Sequence, residues 1–86
     1  MEIIYSSQAQ EDIQFWKKSG DTKTMNKISS LIISIEQNPF LGIGKPEALK
    51  YELSGCWSRR ITKEHRVVYR IINSGEIEII SCRFHY

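Results

Sequence analysis

Two cysteines in 86 residues, Cys56 and Cys82, are too few for a disulfide scaffold. Neither has the CxxC or Cys/His spacing that a zinc site needs. A reduced, cytoplasmic location is therefore expected. No apolar run approaches the roughly 20 residues of a membrane span. The start, Met1-Glu2-Ile3-Ile4-Tyr5, lacks the basic region and long apolar stretch of a secretory signal. With two prolines and five glycines there is no low-complexity linker, so residues 1–86 are expected to form one domain. At this length a folded chain buries roughly 64% of its unfolded surface, enough for one modest core. An excess of one charge is also missing, since 12 Lys and Arg face 10 Asp and Glu. The distribution is nonetheless uneven. Residues 1–38 hold four lysines against five acids, residues 39–86 hold eight cations against five acids, and every arginine lies in the second stretch. Arginine suits planar, forked recognition of phosphate, so an anionic partner is one reading and a solvated sheet face the other.

Glu2 to Tyr5 are β-favouring and predict a short strand. Ser6-Ser7 then offers capping hydroxyls, and Ala9, Ile13 and Trp16 follow at helical steps. Ser19-Gly20 stops this helix and Asp21 can cap the next. Met25, Ile28, Leu31, Ile32 and Ile35 form its apolar face, and Asn38-Pro39 ends it. Residues 40–47 read as a Gly/Pro loop. After it come four expected strands: Tyr51-Glu52-Leu53, Cys56 to Thr62, His65 to Ile72, and Glu76 to Arg83. The order β-α-α-β-β-β-β predicts an α+β fold, with two antiparallel helices packed on one face of a small, mainly antiparallel sheet. Strand parity puts Arg66, Val68, Arg70 and Ile72 on one face and Val67, Tyr69 and Ile71 on the other. In the preceding strand, Trp57, Arg59 and Ile61 alternate with Ser58 and Arg60. Several arginines are expected to project from the face that the helices leave open.

The inventory contains no paired carboxylates at glycosidase spacing, no G-x-S-x-G, no Walker loop and no metal cluster. Glu47 stands alone in the loop between Lys45 and Lys50; Arg60 and Arg66 fall on neighbouring strands; His85 and Tyr86 end the chain. Metal-free RNA cleavage requires a base for the 2′-hydroxyl, a cation for the phosphorane-like charge, an acid for the leaving oxygen, and a group that aligns the nucleotide. Carboxylate, guanidinium, imidazole and phenol can fill those roles. By spacing alone, the same residues read better as a solvated loop, an exposed sheet face and an incidental ending than as a catalytic set. Cys82 reads as core rather than nucleophile.

Longer blocks narrow the choice. Gly42-Ile43-Gly44-Lys45-Pro46-Glu47-Ala48-Leu49-Lys50, Leu53-Ser54-Gly55-Cys56-Trp57-Ser58-Arg59-Arg60-Ile61-Thr62, Glu64-His65-Arg66-Val67-Val68-Tyr69 and the terminal Cys82-Arg83-Phe84-His85-Tyr86 resemble the YoeB (Txe) toxins of the RelE/ParE superfamily. The resemblance spans the chain. It implies the toxin of a type II toxin–antitoxin pair that enters the bacterial ribosomal A site and cuts mRNA, without a metal or cofactor, through a 2′,3′-cyclic phosphate. On this resemblance Glu47 is the general base, Arg66 stabilises the transition state, His85 donates a proton to the leaving oxygen, and Tyr86 positions the nucleotide. Lys45, Lys50, Arg59 and Arg60 would hold RNA phosphates. Ile43, Ala48, Cys56 and Phe84 depart from the family pattern, and none of the four removes a proposed catalytic group.

The implied partners are a cognate YefM-like antitoxin, the ribosome and its mRNA, with a homodimer compatible and no membrane involved. Two other functions are the alternatives, and the Glu47, Arg66, His85 and Tyr86 set argues against the first, whose members usually lack it. A ParE-like toxin shares the fold but binds DNA gyrase without cutting RNA, and a small basic module binds nucleic acid passively.

Overall fold

The backbone of Ser6 is extended and its hydroxyl accepts the Ala9 N–H at 3.0 Å, so the chain enters a helix immediately afterwards. In the computed structural model, which describes residues 2–84, this helix is α1, Ser7–Ser19. Gly20 ends it at φ 74°, a left-handed conformation that glycine adopts without a Cβ clash. Asp21 then caps α2, Thr22–Gln37, by accepting the Thr24 N–H and hydroxyl at 3.0 and 2.7 Å. Ala9 and Trp16 of α1 and Ile28, Leu31 and Ile35 of α2 are buried, while Ile13, Met25 and Ile32 pack at the margin. The two predicted stripes are thus the helices' inner faces.

Among the described residues five strands complete the fold: β1 (Ile3–Tyr5), β2 (Glu47–Ala48), β3 (Cys56–Arg60), β4 (Arg66–Ile72) and β5 (Glu76–Ser81). Their order across the sheet is β1-β5-β4-β3-β2. Only β1 with β5 is parallel; the other three pairs are antiparallel. Val67, Tyr69, Ile77 and Ile79 face the helices and close the core. The expected α+β class and element order hold, with one correction. Tyr51–Leu53 is a short 3-10 turn, and the first strand after the helices is Glu47–Ala48, inside the segment expected to be a loop. Tyr51 has φ 59°, which a strand cannot continue through, whereas Glu47 and Ala48 find ladder partners in Ser58 and Trp57.

Strict alternation also fails once in β5. Pairing steps from Tyr69–Ile79 to Val68–Ser81, leaving Ile80 as an extra residue. This bulge re-phases the strand, so Cys82 returns to the core behind Ile79. Burial pushes its thiol up to about 12, with the neighbouring Asp12 charge adding to the effect. Such a thiol stays protonated and is no nucleophile, as the sequence suggested.

Gly44 sits where α2, β3 and the loop after α2 converge. At φ 82°, an added Cβ would lie 2.6 Å from Leu31 Cδ2 and 3.3 Å from the Arg60 amide nitrogen. A left-handed alanine combined with overpacking should remove about 2–4 kcal/mol of stability from Gly44→Ala. Urea titration checks this, and an unchanged midpoint would show that the loop can move aside.

Candidate active site

Register brings distant residues together at one edge of the sheet. Glu47 of β2 pairs with Ser58 of β3, and Arg60 of β3 lies directly opposite Arg66 of β4. Glu47 and Ser58 therefore meet Arg66 on the face turned away from the helices. Arg66 Nη1 donates to Glu47 Oε1 at 2.7 Å and to the buried Ser58 hydroxyl at 3.1 Å. Ser58 thus holds the guanidinium from below, leaving its other nitrogens free of protein hydrogen bonds among the described residues. Sequence reasoning assigned Ser58 no role, although its parity with Arg60 already placed it on this face.

Lys45, Pro46, Glu47, Arg60 and Arg66 line a cleft of about 350 Å³. Two arginines directly opposite each other on adjacent strands repel, and Glu47 is the one carboxylate among the described residues that lines the cleft with them. The hydrogen bond and charge of Arg66 hold the Glu47 carboxyl below its ordinary range, with smaller contributions from Arg60 and Lys50. The carboxylate itself is largely exposed, at 61%, while Arg66 is 23% exposed. One anion among several cations leaves net positive potential, so the cleft favours a phosphate. Among the described residues no three His, Cys, Asp or Glu side chains converge as a metal would require.

Removing Arg66 removes the largest cause of the Glu47 shift. In Arg66→Ala the Glu47 carboxyl should therefore titrate at higher pH than in the parent, as carbon-13 NMR of the side chain would show. The sign for stability follows. A carboxyl held low in the folded state contributes stability above the ordinary carboxylate range, and that contribution is lost as pH falls through the folded-state value. Arg66→Ala should weaken this pH dependence. An unmoved titration would mean that the ion pair does not persist in solution.

The predicted residues divide into groups. Glu47 and Arg66 are in direct contact, Lys45 and Arg60 line the same cleft, and the charge of Lys50 reaches Glu47. His85 and Tyr86 lie outside the described residues. The chain leads to them from Phe84, whose carbonyl accepts the Arg66 N–H at 2.9 Å.

Arg59 is a correction. It is fully buried, and its five N–H groups donate to the Tyr69 hydroxyl, the Ser34 hydroxyl and the carbonyls of Asn38, Leu41 and Ile43. No donor remains for phosphate. Arg59 shares parity with Trp57 and Ile61, which pack towards the helices, and that parity was the available signal. Its role is to tie the loop after α2 to the sheet.

Comparison with known proteins agrees with this architecture. Residues 5–86 match the family model described as a YoeB-like toxin of bacterial type II toxin-antitoxin system. Toxin YoeB of Escherichia coli strain K12 is 44% identical over 86 residues, covering all of both chains. A solved YoeB/ParE toxin from Agrobacterium tumefaciens superposes with a TM-score of 0.94 at 46% identity, again covering both chains fully. Staphylococcus aureus YoeB has been solved as a dimer, with a TM-score of 0.87, and in a heterotetrameric complex with YefM, with a TM-score of 0.86. Each is 45% identical, and the match covers 100% of this chain and 98% of that one. With the family model matched over nearly the whole sequence, this chain belongs to the YoeB-like toxins of bacterial type II toxin–antitoxin systems.

Proposed function

We propose that the chain is a ribosome-dependent endoribonuclease that cuts mRNA in the A site and so inhibits translation. The observation that carries this reading is the Glu47–Arg66 ion pair inside a cleft of further cations. The reaction needs no metal. Glu47 accepts the proton of a 2′-hydroxyl, whose oxygen attacks the adjacent phosphorus while the bond to the 5′-oxygen breaks. Arg66 neutralises the charge that accumulates on the phosphoryl oxygens. His85 gives a proton to the departing 5′-oxygen, leaving a 2′,3′-cyclic phosphate and a 5′-hydroxyl, and Tyr86 aligns the nucleotide. Lys45, Lys50 and Arg60 hold neighbouring phosphates.

The ion pair holds Glu47 against Arg66 before substrate arrives and keeps its carboxyl below the ordinary range, so the resting carboxylate is a weaker base than an isolated glutamate. An incoming phosphate then competes for the guanidinium, and the carboxylate becomes more basic as its partner turns away. A YefM-like antitoxin is the partner, as the YoeB–YefM complex of Staphylococcus aureus supports, and covering this cleft would neutralise the toxin; a homodimer accords with the dimer of that relative. The site of action is the cytoplasm. No helix among the described residues is long and apolar enough to cross a membrane.

Primer extension on a defined mRNA programmed on bacterial ribosomes tests the reading. A new 5′ end within the A-site codon is expected. Intact mRNA together with inhibited gyrase supercoiling would overturn it in favour of a gyrase-binding toxin.

A further inference from the structure

Sheet pairing ends at Ser81, yet the next three residues remain tightly held. The Cys82 N–H donates to Asp12 Oδ2 and its carbonyl accepts the Trp16 indole N–H, both at 2.9 Å. Two residues later the Phe84 N–H donates to His65 Nδ1 at 2.8 Å, while its carbonyl accepts the Arg66 N–H at 2.9 Å. Both backbone groups of Cys82 and both of Phe84 are thus satisfied, and side chains make three of the four bonds. Gln8 steadies Asp12 by donating to its other oxygen at 2.9 Å. The His65 ring stands edge-on to Trp16, with centroids 4.9 Å apart. The Arg83 guanidinium lies over the rings of Phe15 and Phe84, 3.5 and 4.6 Å from their centroids.

We propose that Asp12, Trp16 and His65 form a clamp on the Cys82–Phe84 backbone, and that His65 is the positioning residue that sets where the chain departs towards His85 and Tyr86. Three features support this. Phe84 has φ 63°, a left-handed conformation that a bulky residue keeps only where its surroundings hold it. The one side-chain bond to its amide comes from His65, whose Nδ1 must present a lone pair and whose proton is therefore on Nε2. Residue 65 also immediately precedes Arg66, so a single stretch of chain fixes both the phosphate-facing guanidinium and the departure point of the tail. The catalytic consequence rests on the function proposed above; the clamp itself does not.

Two variants separate acceptor from filler. His65→Asn keeps an acceptor close to the position of Nδ1, whereas His65→Leu fills the space beside Trp16 without one. In the parent, a nitrogen–nitrogen coupling across the hydrogen bond from the Phe84 amide to His65 Nδ1 is expected, and its absence would overturn the clamp whether or not either variant folds. Amide exchange at Phe84 should accelerate by about tenfold in His65→Leu and stay within about threefold of the parent in His65→Asn, with Cys82 unaffected. Single-turnover cleavage on saturating ribosomes should fall by about 100-fold in His65→Leu at unchanged ribosome affinity, and recover in His65→Asn. Equal loss in both variants would make the ring a packing element and refute the acceptor role. Rapid Phe84 exchange with full cleavage would refute positioning. A parent protein that cuts nothing would remove the proposed function, and coupling and exchange would then decide the clamp alone.

Discussion

Glu47→Gln is expected to slow single-turnover cleavage of ribosome-bound mRNA by about 10²–10⁴-fold, the range that a positioned general base contributes. Glutamine keeps the length and shape of the side chain and can still accept from Arg66, so the cleft should retain its form. It cannot take up the 2′-hydroxyl proton. Stability should barely change, because the carboxylate is 61% exposed and exposed ion pairs contribute little. The pairing of lost cleavage with an unchanged urea midpoint is the informative result. It separates a chemical role from a structural one, since Glu47 also lies in the two-residue strand β2. Cleavage at the parent rate would place the base elsewhere and undo the assignment. The substitution should also leave binding to a YefM-like partner intact, because an isosteric amide alters neither the backbone nor the shape of the face.

Arg59→Ala should show the opposite pattern, a loss of about 3 kcal/mol or more in unfolding free energy, since each buried acceptor left without a donor costs about 1–3 kcal/mol. The guanidinium is fully buried and serves five acceptors, three of them carbonyls of the loop at residues 38–43. Removing it leaves those oxygens without donors and opens a void beside Tyr69, whose hydroxyl accepts from Arg59 Nε and donates to the Pro39 carbonyl. Single-domain proteins have total stabilities of about 5–15 kcal/mol, so a loss of this size is a large share of the total and should lower the urea midpoint clearly. Arg59→Lys should recover only part of the loss, since one ammonium offers three donors in place of a planar set of five. Urea titration of both variants measures this. A midpoint shared with the parent would mean that water replaces the guanidinium at little cost. Arg60→Ala is the natural control, because Arg60 is exposed on the cleft and its removal should leave the fold untouched.

Adjacent arginines with opposite fates show what parity can and cannot decide. The alternation of Trp57, Arg59 and Ile61 against Ser58 and Arg60 was legible, and it assigns Arg59 to the apolar side. What parity lacks is any sign that five oxygens wait there to receive a charge. They come from residues 34–43 and 69, brought together only when α2, its following loop and β4 pack around one point. The bulge at Ile80 is similar: the sequence read Cys82 as core from its β-favouring surroundings, but only pairing with β4 shows the register step that puts it on the same face as Ile79.

The sequence by itself determined the helix pair, a cap at Ser6 or Ser7 and another at Asp21, the stop at Gly20, the two apolar stripes and the α+β class. These rest on local backbone preference and on periodicity within a dozen residues, which act before distant segments meet. Only the tertiary structure decided that Glu47 belongs to a strand, that it reaches Arg66 from 19 positions away, that Ser58 supports the pair, and that Arg59 is structural. Each of those depends on strand register, which arises when the whole sheet closes over the helices and buries one face of every strand together.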